Sequence, residues 1–247
     1  MNPDISNRLI ELNHQFYQTF AQPFADTRQR LQPGVKRLLA EMPDQSRILD
    51  IGCGNGEFGR SLLASGRASA YLGLDFSIGL LHSAAAGLSS EATNSAKKFE
   101  LLHFDLAHND WELIRARGPF DLAVAFAVLH HLPGEELRLA TLRNIQSCLT
   151  STGLFYHSEW QFLKSTRLRA RIQPWEAIGL SPDQVEEGDF LLDWRRGGRG
   201  LRYVHHFMPT ELASLAERSG FQIRQTFYSD GETHDLSIYQ VWEVCNQ

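Results

Sequence analysis

Ile48-Leu49-Asp50-Ile51-Gly52-Cys53-Gly54-Asn55-Gly56-Glu57-Phe58-Gly59 reads as a strand, a tight turn and the start of a helix. The apolar run Ile48 to Ile51 ends in a glycine-rich turn. Phe58, Leu62 and Leu63 then recur with helical spacing. A side chain on Gly52, Gly54 or Gly56 would stand between a ligand and the backbone, so glycines here favour close approach. The helix start adds free N–H groups and a positive dipole end. A purely structural turn is the alternative.

Dinucleotide-binding turns read Gly-x-Gly-x-x-Gly. The spelling here is Asp-x-Gly-x-Gly-x-Gly, with Asp50 inside the strand end. The next strand, Ala70 to Leu74, ends in Asp75. An acid there suits ribose hydroxyls in folds of this type. Its alternative role is to cap the helix that begins near Ser77. Residues 83 to 97 read as a helix end and then a loop. Phe99 to His103 forms the third strand, followed by Phe104-Asp105-Leu106. Asp105 suits an adenine amino group, with Phe104 and Leu106 against the ring; a loop-capping aspartate is the alternative.

Phe120 to Val128 is apolar enough for burial on both faces, as in a central parallel strand. It runs into His130 and His131. In extended backbone neighbouring side chains point opposite ways, so the pair is not expected to chelate one metal. No metal site is expected. One histidine faces the cleft, and a structural role remains open for each. A helix over 134–149, a turn at 151–153 and a strand at Leu154 to Ser158 follow. After a helix from Pro209 to about Gly220, strands Phe221 to Tyr228 and Leu236 to Val244 make a hairpin. It belongs at the sheet edge, with the last strand antiparallel.

Two flanking regions complete the chain. Residues 4–24 and 32–42 have helical spacing, so 1–44 is expected to be a helical cover. Tyr17, Thr27 and Arg28 could line the site from it; a solvated surface arginine is the alternative for Arg28. Residues 159–208 break the βα rhythm with aromatics among many arginines. A segment this long suits a substrate-recognition insertion or lid. Arginines beside aromatics suit phosphates and stacked bases, and a solvated charged face is the alternative.

The 247-residue chain carries a net charge of −5, so nucleic acid would need a local basic patch. Its three cysteines form no Cys-x-x-Cys pair, which fits a reducing, cytoplasmic setting. No apolar stretch is long enough to span a membrane.

Asp50 to Gly56, Asp75, Asp105 and the central strand together resemble the class I S-adenosylmethionine-dependent methyltransferases. The resemblance implies an α/β Rossmann-like fold: a seven-stranded, mostly parallel sheet with an antiparallel last strand and helices on both faces. It implies one methyltransferase domain over 1–247, with S-adenosyl-L-methionine as cofactor and S-adenosyl-L-homocysteine as product. The expected cofactor contacts are Tyr17, Asp50, Gly52, Gly54 and Gly56, then Asp75, Phe76, Asp105, Leu106 and Phe126. Phe24-Ala25-Asp26-Thr27-Arg28 and Arg202-Tyr203-Val204-His205 resemble segments of the wobble-uridine tRNA methyltransferases, which esterify 5-carboxymethyluridine. That resemblance implies tRNA as a partner and, for the eukaryotic enzymes, a small activator protein. A small-metabolite acceptor and a non-catalytic cofactor-binding module are the alternatives. A carboxylate acceptor is anionic at neutral pH and needs no base. It needs positioning, which Arg28 and Arg202 suit, with His130, His131 or His205 completing the site.

Overall fold

The computed structural model describes residues 1–91 and 98–245. The helical pattern of residues 4–24 folds as two helices. Helix α1 (Pro3–Thr19) is capped by the Asn2 side chain, and α2 (Ala21–Ala25) restarts after Phe20. The restart puts Pro23 in a first turn, where its missing N–H breaks no helical bond. Helix α3 (Pro33–Glu41) follows.

The chain then alternates: β1 (Ser46–Ile51), α4 (Glu57–Ser65), β2 (Ala68–Asp75), α5 (Ile78–Glu91), β3 (Lys98–His103), α6 (Glu112–Arg115) and β4 (Phe120–Phe126). Next come α7 (Glu135–Ser147), β5 (Leu149–Trp160), α8 (Thr166–Arg169), β6 (Ile172–Gln173), β7 (Asp189–Trp194) and β8 (Gly200–His205). Helix α9 (Pro209–Arg218) and strands β9 (Phe221–Ser229) and β10 (Ser237–Val244) close the fold. Helix α5 runs through the first part of the stretch read as helix end and loop; residues 92–97 of that stretch lie outside the described residues.

The main sheet has seven strands in the order β3-β2-β1-β4-β5-β10-β9. Strands β1 to β5 pair in parallel, and β10 runs antiparallel to both β5 and β9. The terminal hairpin occupies the edge, with β10 inside and β9 outermost. Strand β5 is longer than its apolar core. Leu149 pairs with Phe120 and Leu154 with Leu122, so the expected turn at 151–153 is an irregularity within the strand.

Side-chain alternation gives the sheet two buried faces. Leu49, Leu72 and Ala123 pack with Leu142 of α7 and Leu212 of α9. Ile48, Tyr71 and Leu122 pack with Leu38 of α3 and Leu62 of α4. Among the described residues no helix is long and apolar enough to cross a membrane.

Residues 159–208 are ordered by a second sheet, the antiparallel β6-β7-β8. Leu191 and Tyr203 bury against Leu9 of α1, while Leu192 and Val204 bury against Phe162. The aromatics that break the βα rhythm thus supply a small core of their own. The β7–β8 turn seats on Phe20 and Pro23.

Asn13 ties these parts together. Its Nδ2 donates to the His131 and Tyr203 carbonyls, each at 3.2 Å, and its Oδ1 accepts from Tyr203 N–H at 2.9 Å. Asn13 is 4% exposed. Asn13→Ala is expected to cost about 3 kcal/mol, because buried backbone groups lose their partners. A lowered denaturant midpoint with unchanged slope would report that loss; an unchanged midpoint would show that the bonds carry no net stability.

Candidate active site

Strand order reverses direction beside β1, with β2 on one side and β4 on the other. Ligands of open parallel sheets bind outside the carboxyl ends of strands at such a point. A cavity of about 450 Å³ opens there. Its floor is the 52–56 turn. Gly56 has φ +76°, and a Cβ would stand 2.8 Å from Ala84 Cβ, so glycine lets α4 and α5 approach. Gly54 differs: a Cβ there would meet nothing within 4 Å, because it would project into open space. Gly52 also lines the cleft.

Asp75 joins the turn to α5. Its Oδ2 accepts from Gly54 N–H and its Oδ1 from Ser77 N–H, both at 2.8 Å. It therefore ties the glycine turn to the residue just before α5, where Ser77 Oγ accepts from Leu80 N–H at 3.4 Å, and each Asp75 oxygen keeps a lone pair suited to ribose hydroxyls. Burial raises its pKa to about 6. Asp50 accepts from Tyr71 Oη–H at 2.6 Å, and burial raises its pKa to about 7.

Phe76 forms one end of the cleft. His14 of α1 tilts over it at 4.5 Å between ring centroids, and His14 Nε2 lies 3.2 Å from Asp105. Asp105 also accepts from Ala107 N–H at 2.9 Å and meets His108 Nδ1 at 2.9 Å. It thus performs the loop-capping role while lining the cleft. Leu106 and Phe126 line the same cavity. A cavity with an open glycine, a buried ribose-type acid and an apolar end fits an adenosyl cofactor.

The other end is built from α1, β5 and β8. His130 and His131 lie in a short 3₁₀ turn, not in extended backbone, and their rings sit 4.3 Å apart. Both line the cleft. His131 spends both ring nitrogens on structure. Nδ1 faces the Tyr203 carbonyl at 3.3 Å, so Nδ1–H donates there and Nε2 accepts from Tyr17 Oη–H at 2.7 Å. Burial, then the Arg202 cation, lower its pKa to about 3. His130 Nδ1 lies 3.0 Å from Glu159 Oε2, which also accepts from His130 backbone N–H at 3.2 Å. An oxygen already accepting one N–H takes the Nδ1 proton too, which leaves His130 Nε2 bare. Burial keeps His130 neutral, and the Arg202 charge acts in the same direction. Glu159 Oε1 meets His157 Nδ1 at 3.1 Å, and burial pushes the Glu159 carboxyl well up.

Arg202 lies 6% exposed among three rings: Trp160 at 5.1 Å, Phe16 at 5.4 Å and Trp194 at 5.7 Å. Its buried Nε has no hydrogen-bond partner. Arg28 stands at the cleft mouth over Phe24, and Asn55 of the glycine turn donates to its carbonyl at 3.1 Å. Residue Arg28 is exposed, but its charged end sits in the field of Arg202.

The structure does not bring His205 to the cleft. Alternation along β8 sends Arg202 inward and His205 to the opposite face. His205 Nδ1 meets Asp189 at 2.7 Å and Nε2 meets Glu211 at 3.0 Å. Burial opposes its charge, but these two acceptors outweigh it and raise its pKa. Arg138, paired with Glu186 at 2.8 Å, extends this ionic cluster.

Asn13, His14 and Glu159 were missing from the sequence-derived set. A signal existed for the first two. Ile10, Asn13, His14 and Tyr17 form one helical stripe, and polar residues inside a buried stripe mark a site rather than a core. Glu159 carried no such signal.

The fold and cleft define an S-adenosylmethionine-dependent methyltransferase of class I. A family profile described as a methyltransferase domain matches residues 24–226, and the chain belongs to that family. The tRNA (carboxymethyluridine(34)-5-O)-methyltransferase of Schizosaccharomyces pombe is similar, with 26% identity over 233 residues, 88% of this chain and 92% of that protein. A candidate methyltransferase of Encephalitozoon cuniculi is 28% identical over 232 residues, 93% of this chain and 94% of that one. A solved S-adenosylmethionine-dependent methyltransferase of Methanosarcina mazei shares the fold, with TM-score 0.66 and 22% identity over 88% of this chain and 100% of that chain.

Asp50 has its carboxyl raised in the folded state, so its favourable contribution is complete below the unfolded pKa and lost as pH rises through about 7. Asp50→Asn keeps an oxygen for Tyr71 and cannot ionise. Its melting temperature is expected to exceed wild type by about 5 °C at pH 8, with a smaller gain at pH 5. Equal gains at both pH values would show that Asp50 ionisation costs the fold nothing. Glu159→Gln should keep the Nδ1-protonated ring of His130, read as its ¹⁵N ring shifts, while Glu159→Leu should lose it. Shifts unchanged in the leucine variant would mean that Glu159 does not set the tautomer.

Proposed function

We propose that this methyltransferase esterifies a carboxylate, and that its acceptor is the carboxymethyl group of a tRNA wobble uridine. The observation that carries the reading is Arg202. A buried guanidinium without an anion costs several kcal/mol, about 2–3 of which three aromatic faces return. A carboxylate accepted in a planar fork completes that balance. The fission-yeast relative, by its name, acts on such a group.

In this reading S-adenosylmethionine supplies the activated methyl when bound. Asp75 takes the ribose hydroxyls, with Gly52 and Gly54 lining the cleft beside them, while Gly56 lets α4 and α5 approach. Phe76, Leu106 and Phe126 enclose the adenosine, and Asp105 and Asp50 hold the polar ends. Arg202, with Arg28 at the mouth, orients the acceptor. Tyr17 and His131 keep α1 closed over it, and His130 offers a bare nitrogen to an N–H or O–H of the acceptor. His205 acts only by fixing β8. The carboxylate is already ionised, so no residue is assigned as base. Residues 1–44 serve as the cover and 159–208 as the recognition insertion.

Labelled S-adenosylmethionine offered with tRNA and with a small-metabolite extract, both from cells lacking this protein, tests the reading. Counts in tRNA that mild base releases are expected. Counts in the metabolite pool alone would overturn tRNA as acceptor. Arg202→Lys keeps the charge without the fork; it should lower kcat/KM by about 100-fold, close to 3 kcal/mol, and leave cofactor affinity unchanged. Full activity in that variant would remove Arg202 from the site.

A further inference from the structure

Three sequence segments far apart in the chain converge on the cleft mouth. Residues 26–32, 164–173 and 193–202 together carry ten Lys and Arg against two Asp, in a chain of net charge −5. Arg28, Arg30, Arg167 and Arg202 line the one cleft. The turn between β7 and β8, which carries Arg195, Arg196 and Arg199, is placed by its contacts. Gly197 rests on Pro23, and Trp194 lies 6.2 Å from the Phe24 ring that Arg28 covers. On its other side Asp193 N–H donates to the Arg171 carbonyl at 3.0 Å, which brings up the α8 end. Beside the cleft, a second hollow of about 380 Å³ is walled by Gln173, Asp193, Trp194, Arg195 and Arg199.

These cations are largely unspent. Within the three segments, among the described residues, ion pairs join only Arg195 to Asp193 at 2.6 Å and Lys164 to Asp235 at 3.2 Å. Arg28, Arg30, Arg167, Arg196 and Arg199 are exposed and, among the described residues, in no ion pair, though Arg28 donates to Thr27 Oγ1 at 3.3 Å. Crowded like charges repel, and one small acceptor at the bottom of the cleft cannot neutralise them all.

We infer that this rim is a track for single-stranded RNA. It grips the phosphates on either side of the nucleoside that enters the cleft, with the β7–β8 turn on one bank and α8 on the other. The inference rests on the tRNA reading and adds the surface that holds the strand. Guanidinium forks match phosphate oxygens, and a looped strand presents several in succession. The second hollow offers room for a neighbouring nucleotide beside Arg195 and Arg199.

The experiment uses the full chain and a labelled anticodon stem-loop RNA, with binding followed by anisotropy from 50 to 200 mM salt. Arg196→Glu with Arg199→Glu changes two exposed turn residues outside the cleft. Arg143→Glu, at an exposed position of α7, is the control. The double variant should bind at least about tenfold more weakly, with a log–log salt slope reduced by about 1.4, near 0.7 for each cation lost. Cofactor affinity should not move, and the control should match wild type. Equal affinity and slope in the double variant and wild type overturn the rim alone and leave tRNA as acceptor. Competition by polyglutamate as strong as by RNA overturns the choice of partner. A wild-type protein that binds no stem-loop yet esterifies the free nucleoside overturns the rim together with the whole-tRNA reading.

Discussion

Two backbone N–H groups from different turns converge on one buried carboxylate, Asp75. That convergence fixes the separation between the glycine turn and the start of α5, and so the width of the cleft. The same burial that makes the joint strong disfavours its charge. The fold alone would be better served by a neutral group. A ligand with hydroxyls to donate is better served by the anion. Burial and the two backbone hydrogen bonds therefore pull on this carboxylate in opposite directions.

A second constraint runs along β8. One face of this strand presents Arg202 to the cleft, and the other presents Tyr203 and His205 to acids. Tyr203 donates to Asp189 at 2.7 Å, and Asp189 also meets His205. His205, held between Asp189 and Glu211, anchors the strand from behind. Arg202 can then stay buried without an anion because its backbone has nowhere to go. Charge satisfied on one face supports charge left unsatisfied on the other.

Much of the main sheet was legible because its strands are short apolar runs that end in glycine or acid. Asp50, Asp75 and Asp105 could be placed beside one cleft by position alone, and all three line it. The insertion was harder. Its strands are brief and interrupted by arginines, and one face of them packs on α1, more than 180 residues earlier. Periodicity within a window does not register such pairing. His205 looked like its neighbour Arg202 because a sequence motif does not say which residues face the ligand. Ahead of the 3₁₀ turn at His130 and His131, Ala127 has a positive φ of 60°, an unusual backbone for alanine that no composition rule anticipates. Glu159 acquires meaning only when β5 is set beside that turn.

Helix α1 reaches both ends of the cleft. His14 stands over Phe76 at one end, and Tyr17 bonds His131 at the other, a single helical turn away. One rigid rod thus walls two compartments. Any change in the seating of this helix therefore alters both ends of the cleft at once.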